Sequence, residues 1–362
     1  MHIFSLILIY SLTVLFLFYD VIILNNTFAS GDSFNPYAIH HILDKIRLSS
    51  SEWPQWQPWI FSGMPTLEAF TYVNLLYLPS FILDLLGTSD LNIQFIHLVV
   101  SAIGMFFLIR RLVGNEQIAF VSGLLWMLNP FLITMIVFGH GSQMMTAAYF
   151  PITLYFLLRL KDKQSISNML LFALFLGFQL QRAHVQIAYY ACMLLGSFFV
   201  YALFQNKNRK FASFFCVGLI IAFLIAAHIY IPSLDYRAMS IRSGDMGSFA
   251  YATNWSMHPK ELLTYIMPNY FGFGGSSYSG FMPFTDFPNY VGLFVLLFAF
   301  LSLKNLNKET IFFWSVLIIS IFLSLGKYFE IFYQFFYNYL PFFNSFRVPS
   351  MILILSNFCL YI

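Results

Sequence analysis

The chain is expected to be an all-α integral membrane protein: a polytopic helical bundle of about ten spans with large outer loops, read as a single transmembrane domain over residues 1–362. Three observations predict this. Of the 362 residues, 59% are hydrophobic and only 9% are charged, whereas soluble domains carry about 25% charged residues, so most of this chain must face lipid or other buried chain. Apolar runs approaching the ~20 residues that cross a bilayer recur along the sequence. The Lys and Arg residues cluster in alternate connections between these runs, as the positive-inside rule requires of an oriented membrane protein.

The expected spans are 4–24, 91–109, 118–138, 146–160, 166–181, 185–204, 211–231, 290–303, 310–325 and 349–362. The first has no Lys or Arg before it, and its apolar run exceeds the ~7–15 residues of a cleavable signal, so it reads as a retained span. With the N-terminus in the cytoplasm, four short inner loops hold Arg110, Arg111, Arg159, Lys161, Lys163, Lys207, Arg209, Lys210, Lys304 and Lys308 against Glu116, Asp162 and Glu309, a net +7. The outer segments carry a net −3, and Asp20 lies within the first span. Shifting the register by one span would put all four basic clusters outside.

This arrangement leaves three outer loops: 25–90, 232–289 and the aromatic-rich 326–348. Loops on a rigid scaffold are where chemistry is placed. Residues 67–86 are apolar but contain Glu68, Asn74, Pro79 and Asp84, and read as interfacial or re-entrant helices rather than a span. The last apolar run reaches Ile362 without a polar tail, and the chain is expected to be incomplete at its C-terminus.

Several function classes are disfavoured. There is no dense basic patch for nucleic acid. Cys192, Cys216 and Cys359 all fall in apolar runs without metal spacing and read as small core residues. The histidines lack HExxH or similar spacing, so no metal or other cofactor is expected, although Asp32 could help hold a divalent cation. The glycines of Phe271-Gly272-Phe273-Gly274-Gly275 fit no phosphate-binding motif and read as a flexible turn.

Groups capable of chemistry gather at the outer mouths of the spans. Asp32, in Gly31-Asp32-Ser33, lies just beyond the first span, where it is either a helix cap or a general base. Glu52, Trp53 and Trp56 belong to a Trp/Pro segment that would serve as an interfacial belt or a sugar-stacking platform. His140 sits in Gly139-His140-Gly141 at the outer end of the third span, and Arg182 and His184 occupy the short outer turn between the fifth and sixth. An arginine at membrane depth costs about 2.5–3.5 kcal/mol on insertion scales, so it normally faces a polar cavity or snorkels to headgroups. Arg347, in Phe346-Arg347-Val348-Pro349, stands at another outer helix entrance. Guanidinium groups suit phosphate because their planar donors bond in pairs.

These motifs in this order resemble the YfhO-like bacterial membrane proteins. The likeness rests on Gly31-Asp32, the Trp/Pro segment ending Gly63-Met64-Pro65, Gly139-His140, Pro259-Lys260-Glu261, Pro268-Asn269-Tyr270-Phe271-Gly272, Asn289-Tyr290-Val291-Gly292 and Phe346-Arg347-Val348-Pro349, which together span nearly the whole chain. The resemblance implies the GT-C fold in a bacterial cytoplasmic membrane and sugar transfer from a polyprenyl-phosphate-linked donor to a cell-envelope glycan or polymer acceptor. It further implies Asp32 as catalytic base. For such a reaction the residues at the outer mouths offer Arg182 or Arg347 near the donor phosphate, and His140, His184, Glu52, Trp53 and Trp56 around the substrates. Two other readings remain open: a transporter or flippase of an anionic lipid-linked substrate, which would need charge along a path through the bilayer, and a non-catalytic assembly protein.

Overall fold

The computed structural model describes residues 2–362 apart from 53, 60–61, 67–76, 81–89, 238, 240–247 and 275–276. Trp53 and most of the expected re-entrant stretch 67–86 lie outside the described residues. The architecture is an all-α membrane bundle; the strands among the described residues are the two-residue pair Trp56–Gln57 and Met64–Pro65, antiparallel with Trp56 opposite Pro65.

Each of the ten expected segments is helical, as the all-α bundle requires, and the helices differ in length. Among the described residues four helices are long and apolar enough to cross a bilayer alone: Ile93–Val113, Glu116–Val137, Val185–Gln205 and Arg209–Tyr236. A fifth forms if the pair Lys308–Ser324 and Gly326–Tyr339, bent by 108°, is taken as one span. Ile3–Leu17, Ile166–Gln181, Leu293–Asn305 and Pro349–Leu360 are shorter. A 15-residue helix such as Ile3–Leu17 reaches only about 22 Å at 1.5 Å per residue, against the roughly 30 Å hydrocarbon core. Hydropathy registers apolar composition; it does not register the break at Phe18 (φ −112°, ψ 29°) or the one at Leu325-Gly326. The stretch 326–348, expected as a loop, is therefore largely helical, with Glu330–Tyr339 its main element.

Packing inside the bundle is largely aromatic. Tyr10 anchors the first helix: its ring stacks on Phe120 at 5.5 Å and its hydroxyl donates to the Phe120 carbonyl at 3.0 Å. A phenol in lipid needs such a partner, because no water is available there to take its proton. Phe215 lies between Phe172 (5.7 Å) and Phe199 (4.1 Å), joining the helices Ile166–Gln181, Val185–Gln205 and Arg209–Arg237.

The first two basic loops meet at one end. Arg110 pairs with Glu116 at 2.9 Å, and Arg111 Nε donates to Asp162 at 2.9 Å, which ties the first two basic loops together. Helix starts at the basic loops are capped as their sequences direct: Asn115 accepts from Gln117 and Ile118 N–H, Ser165 from Asn168 and Asn307 from Thr310. Arg110, Arg111, Arg159 and Lys161 fall in last helical turns, where cations complement the carbonyl end of the dipole. Glu116 opens the helix that leads to Val137, so the residues after Val137 lie at the opposite end of the bundle.

Candidate functional site

That opposite end begins with a helix stop. The helix Pro130–Val137 closes in a Schellman motif: Gly139 N–H bonds to the Ile136 carbonyl at 3.2 Å and His140 N–H to the Met135 carbonyl at 2.7 Å, with Gly139 at φ +85°. Phe-Gly-His after an apolar run is a sequence-level stop signal, and it fixes the backbone that presents the imidazole. A new helix, Gly141–Ala148, starts at once with His140 at its N-cap.

The helix Gly31–Ser50 begins against this turn. Its cap is Ser30, whose hydroxyl accepts from Ser33 N–H at 3.2 Å, so the Asp32 carboxylate is not consumed as the cap. Asp32 lies in the first turn, where an acid is favoured by the dipole. A Cβ built on Gly139 would fall 2.5 Å from the Ser33 nitrogen and closer still to the Asp32 carbonyl carbon, which shows how tightly the two segments touch. Across this contact His140 Nε2 stands 3.4 Å from Asp32 Oδ2. The Asp32 side chain is 62% exposed and that of His140 25% exposed, so the carboxylate is open to an incoming molecule.

A second acid, not singled out from the sequence, joins them. Asp286 Oδ2 lies 3.8 Å from the same Nε2, with its side chain only 17% exposed. The Gly-rich stretch positions it: Gly274, at φ +74°, donates its N–H to the Thr285 carbonyl at 2.8 Å and lies against the Phe138 ring. The expected turn is therefore a clamp between the second outer loop and the His140 stop. Phe287 completes it, with its ring 5.2 Å from the imidazole and 5.4 Å from Phe131. The signal that could have revealed Asp286 is the one that revealed Asp32: an acid a few residues from the outer mouth of a span. Among the described residues no group of three or more His, Cys, Asp or Glu side chains has metal-holding geometry.

Arg182 is buried, 3% exposed, with its guanidinium 4.2 Å above the Tyr77 ring. Tyr77 shares its hydroxyl with Tyr149 and with His97 Nε2 (2.6 Å), and His97 Nδ1 faces the Ile93 carbonyl at 2.7 Å. Burial first, and Tyr149 beside it, push the Tyr77 hydroxyl well above its ordinary value. The arginine thus sits inside a ring-lined polar cluster rather than snorkelling to headgroups. Two residues on, His184 Nδ1 accepts from Ile187 N–H at 3.2 Å and caps the helix Val185–Gln205.

Arg347 donates to the Tyr251 hydroxyl at 2.8 Å and lies 5.7 Å from the Trp255 ring centroid. Its carbonyl accepts from Gln186 Nε2 at 2.6 Å, and the following Val348 is held at φ +62°. Left-handed backbone at a β-branched residue costs on the order of 1–3 kcal/mol, so the turn is held by its surroundings. The Trp255 ring meets Phe284 at 5.5 Å, which links Arg347 to the Asp286 segment. Glu52 is exposed in a turn closed by Ser50, and Trp56, 55% exposed, lies over Gly63 in the small hairpin. Of the described residues expected at the site, Asp32 and His140 are brought into contact, while Arg182, His184, Arg347, Glu52 and Trp56 stand in the settings just given.

The second outer loop has its own buried anchor. Glu261, 2% exposed, accepts from His258 N–H (2.9 Å), from Phe281 N–H (3.2 Å) and from the Tyr278 hydroxyl. Replacing it by glutamine should cost about 1–3 kcal/mol, because one charged acceptor of several bonds is lost in a buried place. A lower thermal midpoint in detergent, together with faster proteolysis around residues 249–289, is the expected result; an unchanged midpoint would show the anchor to be dispensable.

Residues 75–231 match the family model described as dolichyl-phosphate-mannose-protein mannosyltransferase. The match covers Tyr77, His140, Arg182 and His184, and it supports a membrane glycosyltransferase of the GT-C type at a coarse level. Asp32, Asp286 and Arg347 lie outside the matched residues. No curated protein matches the chain.

Proposed function

We propose that the chain is a membrane glycosyltransferase that moves a sugar from a polyprenyl-phosphate-linked donor to a cell-envelope glycan or polymer acceptor on the outer face of a bacterial cytoplasmic membrane. The observation that carries this reading is an exposed, uncapped Asp32 carboxylate 3.4 Å from His140, at the end of the bundle opposite the basic loops. The match of residues 75–231 to a mannosyltransferase model supports the reaction class. The ordered likeness to YfhO-like proteins supports the bacterial setting and the lipid-linked donor.

In this reading Asp32 takes the proton of an acceptor hydroxyl as that oxygen attacks the anomeric carbon. The bond from that carbon to the donor phosphate breaks, and the phosphate leaves with the electron pair as a stabilised anion. Because the leaving group is already an anion of low basicity, the residues need only orient it and supply positive charge, which is the role given to Arg182 and Arg347. Trp53, Trp56, Glu52 and His184 are proposed to border the substrates.

Transfer from a radiolabelled polyprenyl-phosphate sugar in membranes, with the full chain expressed, tests the reaction. Sugar incorporation should depend on the chain, and its absence with every donor offered would overturn the assignment. Sidedness is tested separately by membrane-impermeant thiol labelling. Ser33→Cys should react from outside in intact cells and Lys161→Cys only after permeabilisation; labelling of Lys161→Cys in intact cells would reverse the proposed orientation.

A further inference from the structure

We propose that Asp286 is a positioning residue of the transfer reaction: by drawing the Nε2–H of His140 toward itself, it leaves the Asp32 carboxylate free to receive the acceptor's proton. The inference rests on the glycosyltransferase reading above and extends it to a residue outside the matched family stretch.

The geometry is that of one donor between two acceptors. His140 Nε2 is 3.4 Å from Asp32 Oδ2 and 3.8 Å from Asp286 Oδ2. A formed charge-assisted bond would be about 2.7–2.9 Å, so the ring is committed to neither carboxylate. One N–H can point along only one of these lines, and a small rotation of the ring closes one contact while opening the other. The main chain of His140 is held by the Schellman bonds, leaving the side-chain torsions as the freedom available.

The two carboxylates are not equivalent. Asp32 is 62% exposed and can meet a substrate, whereas Asp286 is only 17% exposed. Asp32 comes from the helix Gly31–Ser50 and Asp286 from the segment before the helix Leu293–Ser302; the amide of Gln94 lies beside Gly141 on a third element. Among the described residues no Lys or Arg forms an ion pair with either carboxylate. The imidazole is therefore the group that both must share. An Asp32 oxygen accepting from Nε2–H has a lone pair occupied, and that lone pair is restored when Nε2–H turns to Asp286.

The atoms and electrons of the step balance. With His140 turned to Asp286, the acceptor O–H bond breaks and its proton goes to Asp32. The acceptor oxygen bonds to the anomeric carbon, and the phosphate departs with the electron pair of the broken C–O bond. The proton on Asp32 then passes to water, and the imidazole keeps its own.

The test uses the full chain in proteoliposomes with a radiolabelled polyprenyl-phosphate sugar, comparing wild type with Asp286→Asn, Asp286→Glu, His140→Gln and the Asp286→Asn/His140→Gln double variant. Asp286→Asn is expected to lower kcat roughly ten- to a hundredfold, the worth of one charge-assisted hydrogen bond, with the donor KM unchanged. Asp286→Glu should recover most of that loss. In the His140→Gln background Asp286→Asn should cost nothing more, because its effect passes through the imidazole. Wild-type kcat in Asp286→Asn overturns the proposal, as does an equal loss with and without His140. If Asp286→Asn does not accumulate, Asp286→Glu decides: a carboxylate one methylene longer still reaches Nε2, and a loss as deep as that of Asp32→Asn would overturn the role. A wild-type chain that transfers nothing overturns both readings, whereas an active wild type with a silent Asp32→Asn and a fully active Asp286→Asn overturns this inference alone.

Discussion

Replacing Asp32 by asparagine should lower sugar transfer by about 10²–10⁴-fold, the usual contribution of a positioned general base. Asparagine keeps the shape of the side chain but has no oxygen basic enough to take a proton from a hydroxyl. The helix start should survive the change, because its cap is the Ser30 hydroxyl, which accepts from Ser33 N–H. Expression and thermal midpoint are therefore expected to stay near wild type while kcat falls, and the donor KM should move little because the phosphate contacts are assigned elsewhere. Undiminished transfer at equal expression would remove Asp32 from the mechanism and turn attention to Asp286, the other carboxylate beside His140.

Replacing Gly139 by alanine should be nearly as damaging, although Gly139 has no side chain to react. Two costs add. The residue sits at φ +85°, where any Cβ is strained, at about 1–2 kcal/mol. The added carbon would also press on the backbone of Asp32 and Ser33 rather than on a side chain that could swing away. To accommodate it, the first turn of Gly31–Ser50 must move from His140, and a displacement of about 1 Å near a reacting group can cost on the order of a hundredfold in rate. Steady-state kinetics beside a thermal melt separates the two costs. The expected pattern is a modest loss of stability with a large loss of kcat; wild-type kcat would show that the Asp32–His140 contact does not matter to the reaction.

Particular residues show what could be read in advance. Asp32, His140, Arg182 and Arg347 were all visible from their positions at the mouths of apolar runs, since such residues are costly near lipid. Whether Asp32 was a cap or a free carboxylate was not decidable, because Ser30, Asp32 and Ser33 are all residues that cap helices. The structure gives that role to Ser30. Asp286 carries no comparable mark, standing between Pro283 and Pro288 in a stretch that reads only as loop. Its importance comes from Gly274 bonding to Thr285 and packing on Phe138, a contact between distant parts of the chain that leaves no local pattern. The helix lengths were hidden for a related reason: the 108° bend at Leu325-Gly326 interrupts a run that stays apolar and aromatic on both sides.

Composition and the order of apolar runs along the chain mark an all-α membrane protein and predict that the basic loops group on one side, because both depend on free energies of transfer. The pairing of Arg111 with Asp162 agrees with that grouping. It took the tertiary structure to bring Asp32 and Asp286 to the same nitrogen of His140 and to set Arg182 over the Tyr77 ring. Those arrangements depend on where helices stop and which loops fold back against them, and such contacts between distant segments are energies of packing that no window of neighbouring residues contains.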